Sequence, residues 1–127
     1  MKKLLLYIST AILFIILIGA FMVESSEQND KIIYYGSFSG YDIPLHPIEK
    51  IDEKEALSRK TYCIGIYNTN GQLILFEKHI DGALFFRHEY SYYENGNIKE
   101  NKGIDADGFN RVNCYDKKGS RIIKNIP

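Results

Sequence analysis

Three histidines, two cysteines and a handful of acids are the residues of this 127-residue chain that could do chemistry. A metal site needs clustered ligands, such as two histidines one helical turn apart or a Cys/His group. His46 lies between Pro44 and Pro47, and His79 and His88 fall on opposite faces of a strand pattern, so no metal and no other cofactor is expected. "GSFSG", Gly36 to Gly40, has the outline of a nucleophile elbow, but Phe38 holds the place where the serine belongs. "DADG", Asp105 to Gly108, begins like a calcium loop and lacks its later ligands and closing glutamate. Glu77, Arg87 and Glu89 could form a carboxylate pair with a cation, although charged cross-strand pairs on a wet face do the same. His88, between Phe86 and Tyr90, reads as a hydrogen-bonded core histidine. No catalytic constellation emerges. The enzymatic alternative needs a site between the 41–48 segment and a sheet, using Asp42, His46 or His88.

These residues must be positioned by strands. From Thr61 onward glycine punctuates the chain at 71, 82, 96, 108 and 119, each closing a turn-like triplet: TNG, IDG, ENG, ADG, KKG. Glycine suits the left-handed third place of a three-residue hairpin loop. The glycines are 11, 14, 12 and 11 residues apart, room for one short strand and one loop each. The expected fold is mainly β: a six-stranded antiparallel meander over residues 61–126. An odd loop preserves parity across a hairpin. Even positions, among them Tyr62, Ile64, Ile66, Phe76, Phe86, His88, Tyr90, Ile98 and Ile104, should therefore share one apolar face. Lys78, Glu100, Lys102 and Asn110 interrupt it.

The odd face is polar but carries aromatics. Tyr67, Phe85, Tyr93, Phe109 and Tyr115, interleaved with Arg87, Arg111 and Arg121, form a candidate binding surface of the residue types enriched in hot spots. The same parity sets Cys63 and Cys114 on opposite faces, four strands apart. That is roughly 19 Å, against the ~4.4–6.8 Å between Cα atoms that a disulfide needs, so two free thiols are expected.

Ahead of the strands, Asp52 is placed to cap a short helix over 52–60, with Glu55 at capping-box spacing. Pro44 and Pro47 keep Ile32 to Lys50 out of a helix. This segment is expected to run extended across the apolar face as its cover, with a polyproline docking motif, "PLHP", as the alternative. Such thin cover leaves a curled sheet, a homodimer or a partner to bury the rest.

Tyr67-x3-Gly71-x-Leu73, Tyr92-x3-Gly96-x-Ile98 and Tyr115-x3-Gly119 repeat at 25 and 23 residues. This pattern resembles the Tyr/Gly hairpin repeats of MORN-2 or YwqK-like bacterial proteins and Rhs/YD repeats, and covers about half the chain. The resemblance implies a single-layer hairpin array without catalytic residues. The antitoxin label of YwqK-like proteins implies an immunity role. "GYDIPLHPI" followed by such hairpins is similar to small bacterial envelope proteins.

Leu4 to Val23 is 20 residues without a charge, enough for about 30 Å of helix, the thickness of a hydrocarbon core. The run is longer than a signal h-region and no A-x-A follows it. Residues 1–23 are expected to be a membrane anchor, or a signal whose cleavage would leave a secreted domain. Lys2 and Lys3 before the run hold the N-terminus in the cytoplasm. Residues 24–31 then serve as a tether and 32–127 as a periplasmic or extracellular β-domain. Equal numbers of basic and acidic residues, 16 each, argue against nucleic-acid binding. The functional expectation is a non-catalytic, membrane-anchored binding module, an immunity or envelope accessory protein with a protein or envelope partner. A structural subunit of a membrane complex is a further alternative.

Overall fold

The computed structural model describes residues 29–123. The proposed membrane segment, Leu4 to Val23, lies outside them, and among the described residues no helix is long and apolar enough to cross a membrane. The chain forms one open antiparallel sheet of eight strands in the order β2-β1-β3-β4-β5-β6-β7-β8. The strands are β1 (Lys31–Ser39), β2 (His46–Ile51), β3 (Thr61–Tyr67), β4 (Leu73–Ile80), β5 (Ala83–Tyr92), β6 (Ile98–Asp105), β7 (Asn110–Tyr115) and β8 (Arg121–Ile122). β3 to β8 are the expected meander, and β8 ends at Ile122 within the described residues.

One helix, α1 (Glu53–Ser58), links β2 to β3. The Asp52 carboxylate accepts from the Glu55 N–H at 2.7 Å, capping it as expected. Glu55 does not return the bond and pairs with Arg59 instead. Ala56 is fully buried, and the helix packs on β1 and β3.

The Ile32–Lys50 segment corrects the expectation of a strap over the sheet. Its two halves are hydrogen-bonded members of the sheet, β1 pairing with both β2 and β3. Pro47 is accommodated because β2 is an edge strand. Only the 40–45 loop and the end of β1 act as cover. Pairing of β1 with β3 stops at Tyr35 opposite Cys63, while β2 stays with β1 through His46 opposite Ser39. The Phe38 and Phe86 ring centroids lie 5.7 Å apart, although three strand spacings of a flat sheet would separate them by about 14 Å. The free end of the β1–β2 ribbon therefore folds over the sheet. At its bend, Glu49 has a positive φ of 61°, and the Arg59 guanidinium and Glu49 carboxylate lie where a Gly36 Cβ would stand.

Four of the five turns match the expected three-residue loops, with Asn68, Tyr93, Asp105 and Asp116 each donating its N–H to the carbonyl four residues on. The fifth does not. Ile80 pairs with Ala83 around the two-residue turn Asp81-Gly82, where φ is positive at both positions. A bulge at Phe85 then restores the expected parity, so Phe76 faces His88.

Two other bulges change the faces. The register shifts between Ile66 and Tyr67, leaving Ile74 unpaired, and between Ser91 and Tyr92, leaving Lys99 unpaired. Each extra residue inverts the parity of the rest of the hairpin. Cys63, not Tyr62, Ile64 or Ile66, therefore lies on the Phe76 side, opposite the expectation. On β6, Asn101 and Gly103 take that side while Glu100, Lys102 and Ile104 turn away. Three of the four residues that broke the expected apolar face thereby leave it. Lys78 stays, with its Nζ 5.7 Å from the Phe38 ring centroid and 5.4 Å from that of Phe85.

The inner face carries the core of Leu45, Cys63, Leu73, Phe76 and Tyr90, with Phe76 fully buried. Burial pushes the Cys63 thiol up to about 11 and the Tyr90 and Tyr92 phenols up to about 12. Both cysteines are free thiols. The two parity inversions cancel between β3 and β7, so Cys63 and Cys114 face opposite sides.

Candidate functional site

The 40–45 loop covers only the middle of the inner face. Its anchor is the Leu45 N–H, which donates to the Tyr90 hydroxyl at 3.2 Å in a buried bond. Beside it, toward β7, a groove of about 340 Å³ opens between Ile43 of the loop and the strands β5, β6 and β7. Phe86 and His88 come from β5, Asn101 and Gly103 from β6, and Arg111 and Asn113 from β7. Phe109 and Asp105 flank the turn at its end.

Strand period explains the first pair, since Phe86, His88 and Tyr90 alternate along one face of β5. The Lys99 bulge explains the second, because it turns Asn101 inward. Asn101 is 3% exposed, the one buried polar side chain among the described residues. Its Oδ1 stands 2.9 Å from His88 Nδ1. An amide oxygen only accepts, so Nδ1 carries the proton and Nε2 keeps its lone pair when the ring is neutral. The amide nitrogen of Asn101 has no protein partner among the described residues. The His88 ring lies over Gly103, where an added Cβ would meet Cε1 at 3.5 Å. The Arg111 guanidinium sits 5.2 Å from the Phe109 ring centroid and pairs with no carboxylate among the described residues.

A second hollow of about 290 Å³ lies on the other side of Ile43, lined by Pro44, Tyr92, Ile98 and Tyr115 among others. The outer face holds a different polar row. Glu77 Oε2 is 2.8 Å from His79 Nε2, and Arg87 Nε is 3.7 Å from Glu77 and 3.2 Å from Glu89. The Tyr62 ring stacks on His79 at 5.0 Å, and His79 Nδ1 is buried without a partner among the described residues.

The eight residues of the candidate surface do not make one surface. Phe109 and Arg111 line the groove and Tyr115 the hollow beside it. Arg121 stands exposed across from Tyr115 on β8. Tyr67 is turned into the core by the Ile74 bulge, its hydroxyl 2.7 Å from that of Tyr35. Arg87 is on the outer row. Phe85 is the bulged residue, 48% exposed. Tyr93 donates to the Tyr115 carbonyl at 2.8 Å, tying two turns together. Of the enzymatic alternative's residues, only His88 reaches the groove. Asp42 and His46 are exposed and outside its lining. Sequence reasoning passed over Asn101, Asn113 and Gly103 because an unbroken period puts them on the solvent side.

Comparison with protein-family models finds a match over residues 27–124, to a family of unknown function, DUF6156. The chain belongs to this family. The matched span takes in all eight strands and every residue that lines the groove. Comparisons with curated proteins and with solved structures find no match.

Proposed function

We propose that the chain is a non-catalytic binding module, anchored by Leu4–Val23 with its β-domain outside the cytoplasmic membrane, and that the groove beside the 40–45 loop is where it binds. The observation that carries the reading is a buried asparagine, Asn101, whose amide nitrogen opens into a groove it shares with Arg111, an arginine without an ion pair among the described residues. The amide is held in place by its own bond to His88, so its N–H groups stand ready for a ligand without reordering. The Tyr/Gly hairpin resemblance supports the same class, an immunity or envelope accessory protein that acts by contact.

The groove also lies between the 41–48 segment and the sheet, the location of the enzymatic alternative. Its one imidazole, His88, is already held by Asn101. With Asp42 and His46 elsewhere, it has no second acid or base of that set.

Gly103→Val tests the binding reading. A Cβ at Gly103 makes ordinary contacts, and a β-branched residue suits a strand interior. The valine methyls beyond that Cβ must enter the groove or push the His88 ring aside, so circular dichroism and urea unfolding of the variant are compared with wild type before its binding is read. A fragment from Glu24 to Pro127, containing all eight strands, should retain an envelope component that the Gly103→Val fragment loses. Equal retention by both moves the binding surface elsewhere. External protease should remove the domain from intact spheroplasts; protection until lysis would reverse the assigned topology.

A further inference from the structure

We propose that the groove takes a small ligand bearing a single carboxylate, held by the Arg111 guanidinium and the Asn101 amide nitrogen; this deepens the binding reading above and rests on it. The argument is a count of what the groove leaves unused. Asn101 Oδ1 is spent on His88, so the amide presents two N–H donors. The Asp105 carboxylate is engaged by its own turn, Oδ1 accepting from the Asp107 and Phe109 N–H groups at 3.1 and 2.9 Å. Arg111 makes no ion pair among the described residues and instead lies against the Phe109 ring. Among the described residues the His88 Nε2 lone pair and Asp105 Oδ2 remain as acceptors, and the N–H groups of Arg111 and Asn101 outnumber them, with Arg111 the cation among the groove's lining residues.

A guanidinium presents parallel N–H groups that match a carboxylate in a bidentate pair. One cation with Asp105 close by suits one negative charge, and disfavours a phosphate dianion. Phe109 and Ile43 supply apolar contact for the rest of the molecule. The volume of about 340 Å³ falls at the low end of small-molecule sites, roughly 300–1,000 Å³. A carboxylate could come from an acylated amino acid or from an acidic sugar, and the two share this chemistry.

The test is NMR on the full chain in mild detergent, following the Asn101 side-chain amide and the His88 ring. The probes are N-acetylalanine and glucuronic acid, each beside its neutral amide, with inorganic phosphate as a further arm. At least one acid should shift both residues while its amide does not; which acid does so identifies the source. Arg111→Gln, an exposed substitution that leaves folding intact, should weaken that response about tenfold or more. Asn101→Asp, which replaces the donors with a charge of the wrong sign, should abolish the shift of the His88 ring, the reporter that this variant keeps. The proposal is overturned if amides and acids act alike, if phosphate binds more tightly, or if neither acid moves Asn101 by roughly 50 mM. Should the acids fail while the wild-type fragment still retains a component that Gly103→Val loses, the carboxylate is wrong and the groove reading survives. Should both fail together, the groove is not the binding site.

Discussion

Replacing Tyr90 with phenylalanine removes one oxygen and tests whether the 40–45 loop is fixed to the sheet. In the folded chain that oxygen accepts the Leu45 N–H at 3.2 Å, between residues 5% and 3% exposed. The phenylalanine ring keeps its place in the core, so the cost is the stranded N–H. A buried donor without a partner costs about 1–3 kcal/mol, and a bond of this length belongs at the lower end, about 1–1.5 kcal/mol. For a domain of this size each kcal/mol lowers Tm by about 4–8 °C. Leu45→Ala removes a buried side chain that the loop uses as its plug, at about 2–4 kcal/mol. The two substitutions act on one contact, so the double variant should lose less than the sum. Urea unfolding gives the energies, and hydrogen exchange at the Leu45 amide reports the bond itself, which should exchange faster in Tyr90→Phe. A Tyr90→Phe protein within about 0.3 kcal/mol of wild type, with Leu45 exchange unchanged, would refute the reasoning, because the N–H would then have another partner.

Three further outcomes are expected. Under native conditions a thiol reagent should label half-buried Cys114 and spare Cys63, whose thiol is 1% exposed and raised by burial, until the protein unfolds; equal labelling would contradict the assigned faces. Stability should be full below about pH 9 and fall as pH climbs toward 12, because the folded chain retains the Cys63 proton to about 11 and the Tyr90 and Tyr92 protons to about 12 after the unfolded chain has lost them; urea midpoints measured across that range check the sign, and a rising midpoint would exclude it. Gly36→Ala should destabilise by driving apart the Arg59–Glu49 pair that occupies its missing side chain; in an Arg59→Ala background the same change should cost less, and an undiminished cost would mean that the backbone itself objects.

The turns were legible because their residues act locally. Asn68, Asp105 and Asp116 each use Oδ1 to accept from backbone N–H groups two and four residues on, an Asx geometry that depends on nothing distant. Asp52 capped its helix for the same reason. The faces were less legible because a bulge is one residue among many of similar type. Ile74 sits in "LILF", where apolar residues at consecutive places conceal a change of phase. The run was itself a signal, since a strand with one wet face does not need four in a row. "IKENK" gave a similar hint: keeping the period left Glu100 and Lys102 on the apolar side. The β1–β2 ribbon was hidden by its prolines, which exclude a helix but not an edge strand.

The groove depends on the Lys99 bulge. With Tyr92 opposite Ile98 and the period unbroken, Tyr90 would face Glu100 and His88 would face Lys102, and two full charges would lie beneath the 40–45 loop. Such charges repel an apolar cover unless paired. The extra residue substitutes Asn101 and Gly103. Asn101 is uncharged, so it tolerates burial at 3% exposure, and it retains donors that a hydrocarbon side chain would lack. Gly103 lets the His88 ring lie close over the β6 backbone and lines the groove beside it. The uncovered strip therefore differs from an unfinished core: its floor combines a buried amide, a strand glycine and a cation from the next strand. The Ile74 bulge makes the opposite exchange on β3, delivering Cys63 to the side where Phe76 closes the core. The same backbone irregularity, used on each side of the loop, seals one half of the inner face and leaves the other as an open groove.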